Sequence, residues 1–213
     1  MKKLFAALLL AGAMLFAVQA NAQIIADGGI LSYNINRHHD SIDPWNNSTS
    51  GIYAGASYNY DLPFLKGLSV VPGAYLYYSS ETQMSDFSFY PLIYDTKATH
   101  KESGLLVPVM ASYRYSFTSD SSVFLNLGPT FNLGFSSTTK GDLSDGATNH
   151  FKNGDFNRCD LMFGGNIGAV ILKNYLFYIT YHRGLLNAAG SNYNGTGYRY
   201  NRAIAGLGLG YIF

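Results

Sequence analysis

Apolar and polar residues alternate with period two through most of the chain. In Gly51–Tyr60, one face carries Ile52, Ala54, Ala56, Tyr58 and Tyr60, and the other Gly51, Tyr53, Gly55, Ser57 and Asn59. From Ser122 onward, Val123, Leu125, Leu127, Pro129, Phe131, Leu133 and Phe135 share one face. Opposite them stand Phe124, Asn126, Gly128, Thr130, Asn132, Gly134 and Ser136. Such alternation predicts β-strands, not helices. The same reading predicts eight segments, over roughly 29–36, 51–61, 68–79, 104–116, 122–136, 160–172, 175–184 and 200–213. Many reach ten or more residues, close to the ~9–11 a tilted strand needs to cross a bilayer.

The connections alternate in length. Those at 62–67, 117–121 and 173–174 are short, while 37–50, 80–103, 138–159 and 185–199 are long and polar. Short turns at one end and long loops at the other are the wiring of an outer-membrane barrel, with periplasmic turns and extracellular loops. Charges sort accordingly: only Asp61, Arg114, Asp160, Arg183 and Arg202 fall inside the segments as bounded above. Aromatic pairs gather at the turn ends, at Tyr58 and Tyr60, Tyr113 and Tyr115, Tyr175 and Phe177, and Tyr211 and Phe213. There they suit an interfacial girdle. The expected architecture is therefore all-β, a transmembrane antiparallel up-and-down barrel of eight strands. A soluble sandwich would share the alternation but not this clustering.

Composition sharpens the picture. The 213 residues are 47% hydrophobic and only 13% charged, with 18 Tyr, 14 Phe and 23 Gly. Part of the apolar excess belongs to residues 1–22: Met1-Lys2-Lys3 is a basic start, Leu4–Val18 an apolar run and Ala20-Asn21-Ala22 a small-x-small cleavage pattern. That is a secretory signal peptide, expected to be removed so that 23–213 forms the barrel domain. Without Lys2 and Lys3, twelve basic residues face thirteen acidic ones. No basic stripe remains for nucleic acid. The single Cys159 excludes an internal disulfide. Beyond the leader no apolar stretch approaches the ~20 residues of a membrane helix. Gly206, Gly208 and Gly210 run into the C-terminus rather than opening a helix, so they form no nucleotide loop.

The last segment, Ala203–Phe213, resembles the terminal strand of bacterial outer-membrane barrels. Leu207, Leu209, Tyr211 and Phe213 match the alternate hydrophobic positions and final aromatic that the barrel-assembly machinery reads. The stretches 160–169, 104–110 and 181–185 also resemble strands of the porin-like outer-membrane β-barrel domain family, with the size of its OmpA/OmpX-type eight-stranded members. The resemblance implies an outer-membrane location among membrane lipids, and no single activity.

Eight strands leave an interior filled by side chains. Alternation sends Ser32, Asn34, Tyr53, Ser57, Asn59, Tyr75, Tyr77, Ser112, Arg114, Asn126, Asn132, Asn166, Thr180 and His182 inward. Arg114, Asp160, His182 and Arg202 make the expected lumen charge cluster, the last three at similar height, where buried charges must pair. A catalytic role for His182 would need a partner serine, and none can be placed beside it. No enzyme activity, cofactor or metal is therefore expected. His38-His39-Asp40 and Asp142 with Asp145-Gly146 lack metal-ligand spacing. Phe87, Phe89, Tyr90, Leu92, Ile93 and Tyr94 form an apolar stretch in the second long loop. It is expected to continue the strands as a hairpin, and it is the candidate surface for an extracellular protein partner. The sequence thus favours a scaffold displaying loops, with a narrow channel second and a lipid-active enzyme third.

Overall fold

The computed structural model describes residues 22–39, 42–62, 65–89, 92–141, 146–191 and 199–213. Residues 1–21, which hold most of the expected signal peptide, and Asp40, Tyr90, Asp142 and Asp145 lie outside the described residues. So do the side chains of Phe87, Phe89, Leu92, Ile93 and Tyr94.

Alternation becomes strands β1 (Ala22–His39), β2 (Ile42–Asp61), β3 (Leu68–Phe89), β4 (Leu92–Ser116) and β5 (Ser122–Gly141). After the two-residue β6 (Thr148–Asn149) and the one-turn helix α1 (His150–Asn153) come β7 (Cys159–Ile171), β8 (Tyr175–Gly184) and β9 (Arg199–Ile212). Each long strand pairs antiparallel with the next, β1 pairs with β9, and the sheet closes into a ring of eight strands. Closure leaves no open edge around the ring, the condition for a sheet to sit in hydrocarbon. Among the described residues no helix is long and apolar enough to cross a membrane.

The two faces differ as a membrane barrel requires. Outward Ile30, Ile52, Leu76, Ile167, Ile179 and Leu209 are each 58–63% exposed. Inward Asp27, Asn59, Asn132, Thr180 and His182 are buried beside Leu31, Met162 and Ile204. An apolar surface around a partly polar core suits lipid outside. Tyr113, Tyr115, Tyr175, Phe177, Tyr211 and Phe213 all stand exposed at the turn end. Tyr175 and Tyr211, 5.6 Å between centroids, and Tyr211 and Phe213, at 5.0 Å, meet edge to face. The β7–β8 turn places Leu172 and Lys173 in the left-handed region, at φ 52° and 67°.

Strands β3 and β4 run from the ring to Phe89 and Leu92, so the second long connection is the hairpin expected there. Elsewhere the inward set changes. In β1 the inward residues are Leu31, Tyr33 and Ile35, while Ser32 and Asn34 lie outward, Asn34 donating to Ser32 Oγ at 3.3 Å and Ser32 Oγ lying 3.1 Å from Ser48 Oγ. The phase is set by tyrosine, whose apolar ring fills the lumen while its hydroxyl supplies the polar tip. A register shift at Ser103/Gly104 leaves Phe135 of β5 without a partner, so Ser137 and Thr139 turn inward instead of Thr138.

Candidate functional site

The lumen holds two hydrogen-bonded layers. Nearer the turns, Asp27 of β1 meets three tyrosines. Tyr75 of β3 donates to its Oδ2 at 2.9 Å, Tyr178 of β8 donates to its Oδ1, and Tyr53 of β2 donates to the Tyr178 hydroxyl at 2.9 Å. Gly208 of β9 makes room: a Cβ there would fall 2.2 Å from the Tyr178 ring and 2.4 Å from the Tyr53 hydroxyl. A cavity of about 70 Å³ adjoins this layer, lined by Leu106, Met110, Asn126, Asn166 and His182 among others. That is space for a few waters.

Nearer the loops, Tyr33 and Tyr77 stack at 5.5 Å and turn their hydroxyls to Glu102 Oε1, at 2.7 and 3.3 Å. Tyr77 also lies 3.2 Å from Asn132 Oδ1. Arg202 brings its Nε to 3.9 Å from Glu102 Oε1 and donates from a terminal nitrogen to Asn157 O at 2.7 Å. Arg202 and Glu102 are each 1% exposed, so this ion pair is sheltered from solvent screening.

Of the expected charge cluster, Asp160, His182 and Arg202 are all buried in the lumen. Asp160 accepts weakly from the Leu186 amide at 3.4 Å, and His182 Nδ1 lies 3.3 Å from Thr130 Oγ1. Arg114 is not with them. It sits at the turn end of β4, where it donates to Gln23 at 3.4 Å, because alternation fixes a residue's face but not its height. Glu102, His100 and Asp27 were missed because they fall outside the segments drawn from alternation. Leu207, Leu209, Tyr211 and Phe213 point outward, and the Phe213 amide closes onto Ile24 O at 2.9 Å. Phe87 pairs with Tyr94 and Phe89 with Leu92 along the outer hairpin backbone. Among the described residues no group of three His, Cys, Asp or Glu side chains could hold a metal ion.

No protein-family description and no curated protein sequence matches the chain. Solved structures do resemble it in shape. Ail, the attachment invasion locus protein of Yersinia pestis, is 12% identical, covers 90% of this chain and 99% of its own, and superposes with a TM-score of 0.47. Neisserial surface protein A gives 11%, 91%, 100% and 0.43. OprG of Pseudomonas aeruginosa gives 16%, 91%, 96% and 0.40. All three are small outer-membrane β-barrel proteins.

Proposed function

We propose that this chain is a non-conducting outer-membrane barrel whose job is to hold surface hairpins for contact with an extracellular protein. The observation that carries this reading is the projection of β3 and β4. Pairing with β2 stops at Ser80 and pairing with β5 stops at Ala98, yet β3 and β4 go on pairing with each other to Phe89 and Leu92. Gln83 is the partner of Ala98, so residues 84–89 carry the hairpin beyond both neighbours by about 20 Å, at ~3.3 Å per residue. A regular projection whose paired strands carry Phe87, Phe89 and Tyr94 suits recognition by side chains or by strand addition, and Tyr90 belongs to the same apolar stretch of sequence. The two lumen layers supply the rigid base. Leu207, Leu209, Tyr211 and Phe213, in one outward row on the closing strand, suit the barrel-assembly machinery and then the lipid. The leader 1–22 suits export.

Two measurements test this. In planar bilayers the protein should give no steady openings; steady openings would replace the scaffold with a narrow channel. Deleting residues 85–96 should preserve the heat-modifiable gel mobility of a folded barrel and abolish adhesion of expressing cells. Adhesion that survives the deletion removes the hairpin's role.

A further inference from the structure

At the loop end of the lumen a third polar constellation lies above the two layers and meets the upper one at Glu102. Thr139 of β5 is the register partner of His100 of β4, and the bulge at Phe135 turns its side chain inward. The following loop folds back over it. Thr148 and Asn149 of β6 pair with β5, Asn149 caps α1 by accepting the Lys152 amide at 3.0 Å, and Gly154 ends the turn at φ 76°. This places His150 over Thr139. His150 Nε2 lies 2.8 Å from Thr139 Oγ1, and His150 Nδ1 lies 3.0 Å from Asp155 Oδ2. The Asp155 amide donates to His150 O at 2.9 Å, so the two residues are held together twice. Phe156 packs 5.3 Å from the His150 ring and Tyr200 5.4 Å from Phe156, an apolar wall beside the imidazole.

Proton bookkeeping fixes the roles. An ionised Asp155 can only accept, so His150 carries its proton on Nδ1 and presents a bare Nε2. The Thr139 hydroxyl must then donate to His150. Its oxygen is left to accept from His100 Nδ1, 2.9 Å away, while His100 Nε2 faces Glu102 Oε2 at 3.7 Å. Nucleophile, base and orienting carboxylate follow one another at hydrogen-bond distance, the order by which a hydroxyl becomes an acyl-transfer nucleophile, and His100 must release the Thr139 oxygen before it attacks. The side chains of His150 and Asp155 are 19% and 21% exposed, and Thr139 is half-buried beneath them.

We propose that Thr139, His150 and Asp155 form an esterase site at the barrel mouth, acting on carboxylic esters presented from the extracellular side. Thr139 Oγ1 attacks the carbonyl carbon as its proton passes to His150 Nε2, and the carbonyl oxygen carries the negative charge of the tetrahedral intermediate. Collapse breaks the ester bond, and the departing alcohol takes the proton from His150. Water, deprotonated by the same nitrogen, then hydrolyses the acyl-threonine, releasing the acid and returning the proton to Thr139. Ester and water go in; acid and alcohol come out. Thr139 and His150 are the catalytic residues, and Asp155 is a positioning residue. A mere clasp pinning the loop to the strand would share the distances but not the reactivity.

The full mature chain, folded in detergent micelles, should hydrolyse 4-nitrophenyl butyrate. Loss of the base or nucleophile, in His150→Gln or Thr139→Val, should lower kcat by about 10²–10⁴-fold. Thr139→Ser should keep activity, and Asp155→Asn should lower kcat with little change in KM. A fluorophosphonate should add its mass to the peptide containing Thr139, a readout on the wild-type protein that requires no variant to fold. Hydrolysis retained by Thr139→Val, or a folded wild-type barrel left unlabelled at Thr139, overturns the proposal. Neither outcome bears on the hairpin or on conductance, which involve other residues.

Discussion

The Arg202–Glu102 pair offers the most searching test of the lumen, because its strength depends on burial that only a closed barrel provides. Replacing Arg202 with Met keeps the length and apolar stem but removes the guanidinium from beside Glu102 and its bond to Asn157 O. Glu102 and Asp160, 1% and 0% exposed, then lose the guanidinium, and Glu102 keeps only the His100 imidazole, with Nε2 3.7 Å from its Oε2. Breaking a buried pair from one side costs about 3–5 kcal/mol. The Tyr33 and Tyr77 hydroxyls still solvate Glu102 Oε1, so the lower end, about 3 kcal/mol, is expected here. Glu102→Gln keeps an acceptor for both tyrosines and should cost less. The double variant, with no stranded charge at position 102, should be more stable than the sum of single losses implies, by about 1–3 kcal/mol. Urea unfolding in detergent micelles, followed by circular dichroism and gel mobility, measures all four proteins. If Arg202→Met costs under about 1 kcal/mol, or if the two substitutions simply add, the pair is not the buried, coupled unit described.

Further expectations follow from the same geometry. Gly208→Ala places a methyl group against Tyr178 and Tyr53 and should destabilise by about 1–3 kcal/mol in the same titration; an unmoved midpoint refutes the close approach. Leu172→Gly relieves a left-handed leucine that is 65% exposed, and should raise the urea midpoint by the equivalent of about 0.5–1 kcal/mol; a fall counts against the turn geometry. At the turn end, the hydrogen bond from Lys173, whose Nζ is 3.1 Å from Asp120, holds the Asp120 carboxyl below its ordinary value. Such a group stabilises above the ordinary carboxylate range and loses that contribution as pH falls through its lowered value. Asp120→Asn should therefore trail the wild type slightly at pH 7, match it near pH 2, and lose the difference in 1 M salt because both partners are exposed. A gap that widens in acid contradicts this sign.

The ring was legible because lipid imposes its rule on every second residue. Within the bilayer Leu125, Leu127, Ile179 and Leu209 have one acceptable neighbour, so their spacing records the strand. Above the bilayer that constraint ends. Residues 80–103 can alternate freely with water on either face, so the hairpin that continues to Phe89 could be expected there but its inward face could not be read. Glu102 and His100 were hidden in that stretch. The mouth site was hidden for a second reason. Strict alternation from Ser122 turns Thr138 inward, and only the unpaired Phe135 brings Thr139 round to face His100. His150 and Asp155 come from a loop whose fold-back depends on one short turn, and no period announces it. Arg114 shows the complementary gap, since its face was readable while its height, and hence its partner Gln23, was not.

The lumen layers also bear on how the barrel is made. Tyr33 and Glu102 are 69 residues apart, Tyr53 and Tyr178 125, and Asp27 and Tyr178 151. Contacts this distant cannot guide early hairpins, because closing such loops costs entropy before any bond rewards it. They form when β1 meets β9. Until then Asp27 lacks Tyr178, and a sheet that entered lipid unclosed would carry a poorly solvated carboxylate into hydrocarbon. Asp27 thus acts as an inspector of completeness: it penalises the open or misregistered sheet and falls silent once the last strand is home.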